Sequence, residues 1–256
     1  MSVADQVKTL AGCLLAAAMA TIALVGPATA KEPRVPPGLN PGGVAVALLG
    51  PGVDYRLPEI AKRLARDGEG DLIGWDFTDN DTKPFAESGP GMRWVQMLAV
   101  WAPKAVAVVV KEAPGDPNAL GRLIQFALKT PAKIIVWPAA SPKRPDWPIL
   151  AEAVLRFPDR LFIIPSYDRY DIGKMPAQAG SAAANLITVD YVTGQQDGLP
   201  RVADIVMTNP SGKKHLLHAK DAPDAAVYVA ARCAEALAAN STLTSADLKK
   251  LILDLK

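Results

Sequence analysis

From residue 43 onward, short continuous apolar runs alternate with segments in which apolar residues recur every three or four positions. The runs Val44–Leu49, Leu72–Phe77, Ala105–Val110, Lys133–Trp137, Leu161–Pro165, Leu186–Val189 and Ala203–Met207 have strand length. Strands that are apolar at nearly every position are buried on both faces, as in a parallel sheet covered by helices. The segments Leu57–Arg66, Met92–Trp101, Asn118–Lys129, Trp147–Arg156, Ala222–Ala239 and Ser245–Leu255 carry the helical period. Thr244 with Asp247 three residues on predicts a capping box at the start of the last helix. The alternation predicts one α/β domain over residues 43–256: three layers, with a mostly parallel central sheet between helices. No internal repeat breaks this pattern.

The first 30 residues belong to a different class. Asp5 and Lys8 lie in a short polar start, Leu10 to Val25 is almost wholly apolar, and the segment ends in Ala28-Thr29-Ala30. This is the layout of a secretory signal cleaved before Lys31, and it places the protein in the periplasm or outside the cell. The apolar run is short for a membrane span; left uncleaved, it would act as an anchor. The residues LAGC at 10–13 match a lipidation box but open the apolar run instead of following it. Residues 31–42, KEPRVPPGLNPG, read as a Pro/Gly-rich arm.

Composition adds bounds. With 256 residues, half of them hydrophobic and 21% charged, the chain has enough apolar material for one full core. The net charge is +2, and the signal segment removes one Lys and one Asp, so the balance is unchanged after cleavage. Such a balance predicts no nucleic-acid partner. Cleavage also removes Cys13 and leaves Cys233 alone, in an Ala-rich helix where a buried, inert thiol is expected.

Candidate chemistry starts at VAVALLGPGVDY, residues 44–55. An apolar strand delivers its carboxyl end, where α/β proteins place their sites, at Gly50, which has no side chain. The Gly-Pro-Gly turn is a poor phosphate cradle, because Pro51 lacks an N–H and the third glycine of a dinucleotide fingerprint is missing. DFTDND (Asp76, Asp79, Asp81) lacks the Gly and distal Glu of a calcium loop and reads as a solvated acidic turn. The two histidines, His215 and His218, sit among Lys213, Lys214 and Lys220. Solvated side chains, a metal pair and a replacement base, with Ser211 or Ser166 as its partner, are the three readings. The five tryptophans read as core or cleft filler. Neither a cofactor nor a metal is expected.

The order of motifs resembles that of the subtilisin-like serine proteases. VAVALLGPGVDYRLPEI and LIGWDFTDNDTKPF resemble the family's Asp-Thr/Ser-Gly-Val-Asp-Tyr strand end and its Gly-Trp-Asp-Phe segment. ESGPGMRWVQMLAVWAP stands where the family has Asn-Gly-His-Gly-Thr-His opening a helix. DRLFIIPSYDRYD stands where a strand ends Ala-Ala-Gly-Asn. ANLITVDYV and VADIVMTNPSG are similar to two later strands, and DAPDAAVYVAARCAEALAANSTLTSADLKKLIL to the helix after Gly-Thr-Ser. The resemblance covers nearly the whole chain after the signal.

That resemblance implies a triad of Asp, His and Ser in this order, and none of the three is present. Gly50 stands at the Asp position, Pro90 at the His, Pro223 at the Ser, and Arg93 at the second His of the motif. Asp168 stands at the oxyanion Asn, where a carboxylate would repel a developing negative charge. Pro138, in WPAAS, stands in the substrate-pairing segment and has no N–H to donate. The family usually carries a folding propeptide, and here only the 12-residue arm separates Ala30 from Gly43. In subtilisin itself, removal of the nucleophile or the base alone lowers turnover about 10⁶-fold. The resemblance therefore implies a catalytically degenerate domain of an exported protein that acts by protein binding or as a structural partner. A serine-type hydrolase with a relocated or residual site is the alternative, and a small-molecule-binding α/β domain is a third reading. The resemblance to the proteases further implies that Gly50, Pro90 and Pro223 converge on one shallow, solvent-facing site.

Overall fold

The computed structural model describes residues 32–40, 42–139, 147–166, 183–192, 203–208, 219 and 221–254. Among them, seven strands form the sheet of the unit Pro33–Lys256. These are β1 (Val44–Gly50), β2 (Trp75–Asp76), β3 (Ala105–Lys111), β4 (Ile134–Val136), β5 (Leu161–Pro165), β6 (Leu186–Val192) and β7 (Ile205–Thr208). Their order is β2-β3-β1-β4-β5-β6-β7, and every pairing is parallel. The helices are α1 (Pro58–Ala61), α2 (Pro90–Trp101), α3 (Ala119–Leu128), α4 (Trp147–Arg156), α5 (Ala222–Ala239) and α6 (Ser245–Asp254).

Alternation along β1 builds the three layers. Val46 and Leu48 pack with Trp94, Val95 and Leu98 of α2, with Ala226 and Ala230 of α5, and with Leu248 of α6. Ala45, Ala47 and Leu49 pack on the opposite face, with Leu120 and Leu123 of α3 and with Leu150 and Val154 of α4. Each branched side chain removed from water in this way contributes about 1.5–3 kcal/mol. The fold is the three-layer α/β arrangement that the apolar pattern predicts.

Two elements are shorter than the pattern suggests. The helical period over Leu57–Arg66 yields helix only at Pro58–Ala61. Beyond it the chain straightens along the edge of β3: Ala65 N–H donates to the Ala107 carbonyl and Ala107 N–H to the Arg63 carbonyl, both at 2.8 Å. An open parallel edge competes for these residues and wins, because it satisfies two backbone groups that would otherwise be buried unpaired. The run Leu72–Phe77 pairs with β3 only at Trp75 and Asp76.

At the other end of the chain, Thr244 and Asp247 form the expected capping box. The Thr244 N–H donates to Asp247 Oδ2 at 3.0 Å and the Asp247 N–H to Thr244 Oγ1 at 3.1 Å. The Pro/Gly-rich arm lies against the domain. Tyr55 donates its hydroxyl to the Pro33 carbonyl at 2.9 Å, and Arg66 donates to the carbonyls of Pro36 and Gly70 at 3.2 and 2.6 Å.

Candidate functional site

Strand order reverses at β1, which has β3 on one side and β4 on the other. Open α/β sheets bind their ligands outside the carboxyl ends of the strands at such a switch point. Gly50 closes β1 there, opposite Lys111 of β3. Its φ of +154° is one that side chains rarely adopt. An added Cβ would lie 3.3 Å from the Trp94 ring and 3.4 Å from the Ala139 Cβ.

The turn after β1 supports the start of α2. Gly91 sits so close to the Gly52 carbonyl that any Cβ would collide with it. Pro90 occupies the first turn of this helix, where a missing N–H costs nothing. At α5, Asp221 is the N-cap: its Oδ1 accepts from the Asp224 N–H at 2.9 Å, with Pro223 between them in the first turn. The two helix starts are joined by one carboxylate. Asp224 Oδ2 accepts from Arg93 Nε at 2.8 Å, and Oδ1 accepts from the Trp94 indole at 3.2 Å.

The contacts thus run Gly50 to Trp94 to Asp224 and bring the ends of β1, α2 and α5 to one place. The expectation of a solvent-facing edge is corrected there. Gly50 is buried and Pro223 half-buried, and only Pro90 is exposed. Asp224 is 1% exposed and Trp94 is 4% exposed, so the space between the helix starts is filled by an indole and an ion pair.

A second ion pair with a buried carboxylate stands at the end of β3. Lys111, at the end of β3, donates to Asp76 Oδ2 at 2.6 Å. Asp76 Oδ1 accepts from the Thr78 N–H at 2.7 Å. The acidic turn is therefore not simply solvated, as its composition suggests. Asp79 is exposed, whereas Asp76 is fully buried and its charge is met by Lys111 and by backbone N–H groups. Burial of an ion pair at this depth is tolerable only with such extra donors.

Asp168, Ser211, His215 and His218 lie outside the described residues. Ser166 is buried after β5, its N–H bonded to the Val189 carbonyl at 2.6 Å. Pro138 is buried just beyond β4. Trp94 and Trp101 pack in the core on the α2 side of the sheet, and Trp75, Trp137 and Trp147 in that on the α3 side. Cys233 is fully buried, and burial pushes its thiol up to about 12. Burial, and then the charges of Asp221 and Asp224, raise the Tyr191 phenol above its ordinary value.

Asp224 and Lys111 are the residues of this region that motif reading passes over. Asp224 looks like an ordinary first-turn acid in an Ala-rich helix. The available signal is its place on the buried face of that helix, where a lone carboxylate must find a cation. Lys111 gives a similar signal, as a cation ending the otherwise apolar run AVAVVVK.

No sequence profile of a known protein family matches the chain, and no curated protein matches it. Solved structures do. A cold-adapted subtilisin-like serine proteinase superposes with a TM-score of 0.60 at 16% identity, over 87% of this chain and 85% of the other. A lanthipeptide protease gives 0.56 at 14% identity over 84% and 80%, and Sphericase 0.55 at 16% identity over 87% and 86%. At these identities the likeness is one of architecture, and the chain has the three-layer α/β fold of the subtilisin-like proteases.

Proposed function

We propose that this protein is an exported, catalytically inactive subtilisin-like domain that acts by binding another protein. The observation that carries the reading is what fills the junction of β1, α2 and α5. Acyl transfer by a triad needs a hydroxyl nucleophile, an imidazole base and a carboxylate that orients the imidazole. At this junction stand Gly50, Pro90 and Pro223, and the nearby carboxylate, Asp224, already accepts from Arg93 and Trp94. An aspartate at Gly50 would need a different backbone conformation and a displaced Trp94 ring.

A serine-reactive fluorophosphonate tests the proposal. The purified protein should remain unlabelled and should leave casein and short chromogenic peptides intact. Labelling at a serine, abolished in His215→Ala or His218→Ala, would replace this reading with that of a hydrolase whose site has moved. Export rests on the signal-like start of the chain. N-terminal sequencing of the exported protein should begin at Lys31, and a full-length chain in the membrane fraction would speak for an anchor.

A further inference from the structure

We propose that the groove between α1 and α2 docks an acidic, partly apolar segment of a partner protein. The inference deepens the binding role above and rests on it. The groove has a volume of about 610 Å³ and is lined by Glu59, Lys62, Arg63, Gln96, Val100 and the flank of Arg93. Arg93 is committed to Asp224, so recognition falls to Lys62 and Arg63. Among the described residues neither meets a carboxylate, although Glu59 lies three residues before one and four before the other, the spacing at which helical ion pairs form. α1 ends at Ala61, before that spacing can be realised. Arg63 donates Nη1 to the Pro103 carbonyl at 2.8 Å, which fixes the guanidinium plane. Its Nε is buried and has no acceptor among the same residues, so the donors within a partner's reach are those of the Nη atoms. A guanidinium held in this way loses little freedom when a carboxylate arrives at its remaining donors.

On the α2 side of the groove Val100 is 51% exposed, one of the few large apolar side chains so placed among the described residues. Two cations beside one exposed valine match a segment that carries carboxylates next to an aliphatic side chain. Two cations fall short of the roughly four to eight that mark a surface for anionic lipid, which favours a peptide over a membrane.

The test uses a fluorescein-labelled peptide of alternating Glu and Leu, its Lys-Leu counterpart, and vesicles of phosphatidylglycerol and phosphatidylcholine. By fluorescence anisotropy the Glu-Leu peptide should bind and the Lys-Leu peptide should not. Lys62→Glu should weaken binding about tenfold, and Val100→Asp by a similar factor. Both positions are exposed, so both variants should fold; thermal melts check this. Equal binding of the two peptides, or binding unaffected by both substitutions, overturns the proposal. Binding to vesicles without binding to the Glu-Leu peptide overturns it in favour of a membrane. Chromatography of the bound peptide keeps the two readings apart. Cleavage would end the inactive reading and leave the docking site standing, whereas an intact but unbound peptide would do the reverse.

Discussion

Arg93 Nε and Asp224 Oδ2 meet at 2.8 Å across 131 residues of sequence, and they tie the first turn of α2 to the first turn of α5. Trp94, the next residue along α2, donates to the other oxygen of the same carboxylate. One carboxylate thus takes two donors from consecutive residues of a neighbouring helix. The indole that completes the clamp also closes over Gly50. In this protein the region between the two helix starts is therefore a packing joint, and its charges are spent on each other.

A joint of this kind should matter for stability. Arg93→Ala leaves the 1%-exposed Asp224 with a buried charge and one fewer donor. The expected cost is about 2–3 kcal/mol, below the full penalty for breaking a buried pair, because the Trp94 indole still donates and the Arg93 side chain is 24% exposed. Asp224→Asn should cost less than Arg93→Ala, since an amide keeps an acceptor for the indole. Urea unfolding of the single and double variants measures the coupling, and an Arg93→Ala midpoint equal to that of the parent protein would show that the pair contributes nothing.

The same packing sets the cost of placing triad-type residues at Gly50, Pro90 and Pro223. Gly50→Asp has to accommodate a φ of +154° and a Cβ 3.3 Å from Trp94, so it should destabilise by about 1–3 kcal/mol. Pro90→His and Pro223→Ser lie in first turns, where the loss of proline mainly releases the unfolded chain, at about 0.4–1 kcal/mol each. The triple variant should stay inactive towards chromogenic peptides. A Gly50→Asp protein as stable as its parent would mean that the end of β1 relaxes freely and that the Trp94 contact does not hold it.

Cys233 offers a probe of the core on the α5 side. Its thiol is buried among Ala and Leu side chains and is held in the neutral form, with its pKa pushed up to about 12. In a Cys13→Ser background it should not react with Ellman's reagent in native buffer and should react fully in guanidinium chloride, since the thiolate is the attacking species. Rapid native reaction would reveal opening of α5 well below global unfolding.

Much of this architecture is legible in the sequence. The continuous apolar runs of β1, β3 and β5 specify strands buried on both faces, and the capping box marks the start of α6 to the residue. What periodicity misreads is Leu57–Arg66, whose second half is claimed by the edge of β3, a competitor invisible from within the segment. The carboxylate clamp is hidden for a related reason. Arg93 is legible only as a histidine position lost in the resemblance, and nothing in that stretch points to an acid 131 positions away. Chemistry that depends on two distant first turns emerges only once the sheet has placed both helices.

Acid should loosen the protein through two carboxylates in particular. Asp54 is held below the ordinary aspartate value chiefly by hydrogen bonding from the Arg56 side chain, at 2.8 and 2.7 Å, with a smaller opposing effect of burial. Asp247 is lowered by its bonds from Thr244 in the capping box. A depressed carboxylate favours the folded state above the unfolded-chain pKa, and that contribution is lost as pH falls through the folded value. The loss should thus begin near pH 4 and continue below it, with the unfolded chain binding protons first. Arg56 and Asp247 are exposed to solvent, so the effect of each should be modest and should shrink in high salt. Urea melts of the parent, Asp54→Asn and Asp247→Asn between about pH 3 and pH 7 provide the measurement. Both variants should be weaker at neutral pH and should lose less stability on acidification. Parallel stability curves across that range would show that neither carboxylate contributes to the acid limb.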